Sequence, residues 1–134
     1  MIRFLLRCIL AIFYLAAGAI HIVNPAPFLT ITPRWVPFPD AVIFWTGIAE
    51  ILGAAGLAQA FSSNLRKAAA IGLAIYALCV FPANINHFFL DMAKPDGGLG
   101  LGYHVPRMLA QPLVIWAALW AGCVIDWPFR SRKH

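Results

Sequence analysis

A chain of 134 residues with 62% hydrophobic and only 11% charged positions cannot cover a water-soluble globule, whose surface calls for about 25% charged residues. The formal net charge of +5 does not point to nucleic acid, because the basic residues sit at the ends of apolar runs and form no stripe interleaved with aromatics. Cys8, Cys79 and Cys123 include no Cys-x-x-Cys pair and no His/Cys cluster with metal spacing, which argues against thiol exchange and against a motif-built metal site.

The residues predict one integral membrane domain over residues 1–134 with four apolar spans, each near the roughly 20 residues that cross a hydrocarbon core. The first runs from Ile2 to Val23. Arg3, Arg7 and the small residues Ala16–Ala19 also fit a signal peptide. A polar stripe at Tyr14, Gly18 and His21, spaced i, i+4, i+7, favours a retained helix.

Next comes Asn24–Asp40, with five prolines and the large apolar side chains Phe28, Leu29, Trp35, Val36 and Phe38. Repeated proline argues against a regular helix, and this much apolar surface argues against a loop free in water. The expectation is a loop folded over the outer mouth of a bundle.

The second span, Ala41–Phe61, repeats the spacing with Thr46, Glu50 and Gly53. The third, Ala68–Leu90, carries Tyr76, Val80, Asn84 and His87 as a stripe and Pro82 as a kink point. A glycine-rich and mobile loop is expected over Asp91–Pro106. The fourth span, Arg107–Ile125, opens with Arg107 and Gln111 as i, i+4 neighbours. Helices are the reading throughout, since the alternation of a barrel is absent.

Seven basic residues (Arg3, Arg7, Arg66, Lys67, Arg130, Arg132, Lys133) fall on one side, and three (Arg34, Lys94, Arg107) on the other. That asymmetry places both termini in the cytoplasm and the two long loops outside.

Polar groups inside a membrane are costly and default to functional candidates that face the bundle interior. Here they are His21, Glu50, Asn84, Asn86, His87, Arg107 and Gln111, with Trp35 as a wall from the outer loop. Each also has a structural reading. Glu50 pairs with Arg107 or His87 to hold helices together, the two asparagines satisfy backbone freed by Pro82, and Arg107 anchors at the interface. A set of His21, Glu50 and His87 has the ligand types of a metal site but no local motif, so no metal is expected. Gly47, Gly53, Gly56 and Gly72 read as close-approach positions.

The segments AGAIH (Ala17–His21) with Pro25 and Phe28, TPRWVPFP (Thr32–Pro39), TGIAEILGAAG (Thr46–Gly56) and FPANIN (Phe81–Asn86) resemble the DoxX-like family of small bacterial membrane proteins. The resemblance covers about the first two thirds of the chain. It implies a four-helix protein of the bacterial inner membrane that accompanies redox systems, with His21, Glu50, Asn84 and Asn86 as matching polar positions.

The combined expectation is an all-α, four-helix transmembrane bundle with a proline-rich cap. It would act as an accessory subunit of a redox-enzyme complex or hold a quinone-like lipid. Self-association and contact with membrane lipids also fit. Proton-coupled chemistry on a lipid-soluble substrate, with Glu50 as proton acceptor and His21 as acid, is the enzyme alternative. A purely structural subunit is the third. No flavin, nicotinamide or haem motif is present.

Overall fold

The computed structural model describes residues 1–128; Arg130, Arg132 and Lys133, part of the charge argument above, lie outside the described residues. The described chain is all helical, in the order α1 (Ile2–Val23), α2 (Ala26–Ile31), α3 (Pro39–Ala58), α4 (Ser63–Met92) and α5 (Leu101–Ala121). Three of these, α1, α3 and α4, are long and apolar enough to cross a membrane. The first half of α5 carries His104, Arg107 and Gln111, which lower its hydropathy.

Several expected boundaries move, each for a local reason. The proline-rich loop is not helix-free. Pro25 is the N-cap of α2 and Pro27 falls in its first turn, where a missing N–H costs nothing. Phe38 takes a left-handed backbone (φ 49°) and launches α3 at Pro39. Ser62 starts α4 five residues earlier than expected, by accepting from the Leu65 amide at 3.2 Å. The α3–α4 turn before it is tied by Gln59, which donates to the Gly56 and Ser62 carbonyls at 3.0 and 2.8 Å. Helix α4 continues through Pro82 to Met92, about 45 Å at 1.5 Å per residue. At the far end, Gly100 (φ 73°) starts α5 six residues before Arg107. His104 therefore lies in a helix and not in the loop.

Helices α1, α3, α4 and α5 pack in that order around an axis, with α1 and α5 the slightest of the neighbouring contacts. The end that carries Met1, the α3–α4 turn and the close of α5 is tight. Its core is Leu10, Ala11, Leu57, Ala70, Leu73, Ala117, Ala118 and Ala121, where small side chains let the helices approach. Arg3 staples α1 to the chain after α5 there, meeting Asp126 at 2.5 Å and lying 4.7 Å over the Trp120 ring.

Toward the other end, α1 and α3 cross on Gly18 and Gly47. A Cβ on Gly18 would stand 2.6 Å from the Gly47 carbonyl oxygen, and one on Gly47 would stand 2.9 Å from that of Gly18. Gly72, expected to serve likewise, has open space where its Cβ would be.

Candidate functional site

Around the level of the glycine crossing the helices enclose a cavity of about 430 Å³ to which all five contribute. Its walls are apolar and aromatic, among them Phe13, Tyr14, Phe28, Tyr76 and Val80. His21, Glu50, Asn84, Arg107, Gln111 and Trp35 all line it. The helical spacing that put His21 in register with Gly18, and Glu50 in register with Thr46, turns both groups inward.

The crossing brings His21 and Glu50 together. His21 Nδ1 lies 2.6 Å from Glu50 Oε2 and 3.0 Å from its own helix's Ala17 carbonyl. Glu50 is only 3% exposed, so its carboxyl is buried against the cavity wall. The Tyr76 hydroxyl is also placed to hydrogen-bond it. From the loop side, Phe28 of α2 covers the imidazole, with ring centroids 3.8 Å apart. Glu50 thus pairs with His21, and no ion pair joins it to Arg107 or His87 among the described residues.

The two asparagines separate. Asn84 is 7% exposed and faces the cavity without a hydrogen bond to any described residue. Asn86 donates to the Ile31 carbonyl at 2.8 Å, clasping the end of α2 onto α4. Its role is to hold the cap, not to satisfy backbone freed by Pro82. Gln111, like Asn84, presents an amide to the cavity with no partner among the described residues. Trp35 stands at the rim, 73% exposed. Trp45, although an aromatic of α3 near the rim, faces outward.

His87 belongs to a second cluster at the loop end. Asp91, buried at 1% exposure, accepts from Lys94 at 2.5 Å, from the Leu99 amide at 3.1 Å and from His104 Nε2 at 3.0 Å. His87 Nε2 is 3.5 Å from the same carboxylate, and Arg107 donates to His87 Nδ1 at 2.6 Å. Hydrogen bonding to Asp91 holds the Lys94 ammonium above the ordinary lysine range. The glycine-rich loop, expected to be mobile, folds back onto Asp91 through Leu99. Asp91 and His104 were not among the candidates because both fell within the stretch Asp91–Pro106 that reads as loop.

The ligand atoms of His87, Asp91 and His104 lie within 4.8 Å of one another, close enough to share a metal ion. Their partners favour hydrogen bonding instead. A metal-bound imidazole offers its other N–H to an acceptor, whereas His87 Nδ1 meets the donor Arg107. Nε2 therefore carries the proton and points it at Asp91.

Gly98 makes this loop closure possible. At φ 55°, its added Cβ would be 2.5 Å from the Asp91 side chain. Gly98→Ala is expected to cost about 1–3 kcal/mol, combining left-handed backbone with overpacking. Thermal unfolding in detergent measures it; an unchanged midpoint would mean the loop does not close on Asp91.

Three bilayer-length apolar helices around a ligand-sized, largely apolar cavity with a few polar groups place the chain with α-helical membrane proteins. It belongs to the family described as a domain of unknown function (DUF8561), which matches residues 10–121 and so takes in every cavity-lining position. Neither a curated protein nor a solved structure matches it significantly.

Proposed function

We propose that the chain is a four-span membrane protein of the bacterial inner membrane, with cytoplasmic termini. Its cavity takes a lipid-soluble ligand with a compact polar head, of the quinone type, and it serves a membrane redox system as an accessory subunit. The fourth span is α5. Its polar residues Arg107 and Gln111 line the cavity and His104 is buried, while Leu101, Leu109 and Leu113 are exposed toward lipid. The DoxX-like motifs support the redox association.

One observation carries the ligand reading. Glu50 with His21, and the unpartnered amides of Asn84 and Gln111, meet in one otherwise apolar cavity of about 430 Å³. Binding sites of this class are apolar clefts with a few convergent polar groups. Amides that only joined helices would be bonded to a neighbouring helix, as Asn86 is.

Lipid extracted from protein purified in mild detergent should contain a stoichiometric quinone. An alkylated quinone should quench tryptophan fluorescence saturably. Asn84→Leu and Gln111→Leu should each weaken that binding about fivefold or more, as for loss of one hydrogen bond of roughly 1 kcal/mol or above. No quinone in the extract together with no saturable quenching would overturn the reading.

The short contact between Glu50 and His21 favours proton-coupled turnover as a second reading. A Glu50→Gln protein that folds and binds quinone but loses a redox turnover seen in the wild type would select it.

A further inference from the structure

We infer that the cavity's ligand carries an ionised acidic oxygen, and that Arg107 holds it; this rests on the cavity being a ligand site. The argument starts from charge. The sequence has five acidic residues, Asp40, Glu50, Asp91, Asp96 and Asp126. Asp126 is paired with Arg3, Glu50 with His21, and Asp91 with Lys94 and the two histidines. None of the five lies within 4.0 Å of Arg107, although Arg107 lines the cavity. Arg107, permanently charged and lining a largely apolar cavity, is left without a counter-ion among the described residues.

The bonds Arg107 does make sharpen the assignment. Nη1 donates to His87 Nδ1 at 2.6 Å and to the Tyr103 hydroxyl at 3.3 Å. Both acceptors are neutral, and together they use the two N–H bonds of Nη1. The Nε–H and the Nη2 pair have no partner among the described residues. That edge of the guanidinium is the fork that grips a carboxylate or another paired-oxygen anion through two parallel bonds.

His87 and Tyr103 thus fix the side chain on the bundle and leave its anion-binding edge unsatisfied. An arginine anchored in lipid headgroups would not be tethered in this way. The Glu50–His21 pair sits on other helices, so an acidic head would settle on Arg107, with the neutral amides of Asn84 and Gln111 beside it.

Two kinds of molecule supply an anionic oxygen on an apolar body: a quinone with an ionised ring hydroxyl, and a long-chain fatty acid. Four probes separate them with the purified full-length protein at neutral pH, read by tryptophan quenching and competition. They are an alkyl-tailed hydroxynaphthoquinone, its methyl ether, a long-chain fatty acid, and its methyl ester.

The wild type should bind the ionised member of at least one pair about tenfold or more tightly than its neutral ether or ester, the scale of a charge-assisted bond. Arg107→Gln should abolish that difference, weakening the ionised member about tenfold more than the neutral one. Arg107→Lys should keep part of it, retaining charge but losing the fork.

Preference for the hydroxyquinone supports both the acid and the quinone reading. Preference for the fatty acid, with neither quinone binding, supports the acidic head and overturns the quinone. Equal binding of ionised and neutral members overturns the inference and leaves the cavity reading standing. Saturable binding of none overturns both. The wild-type comparison needs no variant, so misfolding of Arg107→Gln leaves the outcome decisive.

Discussion

Gly18→Ala should destabilise the purified protein by about 1–3 kcal/mol, whereas Gly72→Ala should leave it unchanged or stabilise it by up to about 1 kcal/mol. Both glycines lie inside helices, so alanine brings the same gain in helix propensity at each. The surroundings decide the sign. At Gly72 the new methyl meets nothing within 4 Å. At Gly18 it meets the Gly47 carbonyl at 2.6 Å and Ile51 at 2.9 Å. A backbone carbonyl in a packed helix cannot step aside as a flexible side chain can, so α1 and α3 must part. The same separation lengthens the contact between His21 and Glu50, three residues beyond each glycine. Ligand binding should fall with stability. Unfolding in a denaturing detergent series measures the first effect; equal stability of the two variants would remove the glycine crossing as a determinant of the fold.

The second expected result concerns that pair. His21→Leu strands a buried carboxyl and should cost about 3–5 kcal/mol, the scale for removing one partner of a buried ion pair. Glu50→Leu leaves an imidazole that keeps the Ala17 carbonyl as a partner, and should cost less. The double variant His21→Leu/Glu50→Leu should be more stable than the sum of the single effects predicts, by about 1–3 kcal/mol of coupling. It should nevertheless bind the ligand more weakly than the wild type, because two of the cavity's polar groups are gone. That separation of folding from binding is the outcome a helix-joining role cannot produce. Strict additivity would mean the 2.6 Å contact carries no energy.

Much of this site could be read from the letters. His21, Glu50, Asn84, Arg107 and Gln111 are rare polar residues within apolar spans, and i, i+3 or i+4 spacing gives each an inward face. All five line one cavity. Asn86 shows the limit of polarity within a span as a criterion. Two residues past Asn84 is about 200° around a helix at 3.6 residues per turn, so both cannot face one cavity.

Other features needed the fold. Asp91 and His104 sit 13 residues apart, on either side of a Pro/Gly-rich stretch that any local reading assigns to a loop. Only the left-handed turn at Gly98 and the early start of α5 bring them together. Helix α2 was hidden because two prolines argue against helix everywhere except at its first positions, where these two lie.

The uneven seam between α1 and α5 has a consequence for supply. Its named bonds, from Arg3 to Asp126 and Trp120, gather at the closed end. Farther along, Phe13 and Ala17 on one helix and Ala110 and Gln111 on the other border the cavity with no such fastening between them. If the cavity takes the lipid-soluble ligand proposed above, a solute dissolved in the hydrocarbon would enter sideways through this seam, never crossing water. What then sets occupancy is its mole fraction in the bilayer, and an affinity that looks modest against an aqueous standard is enough to keep the chamber filled.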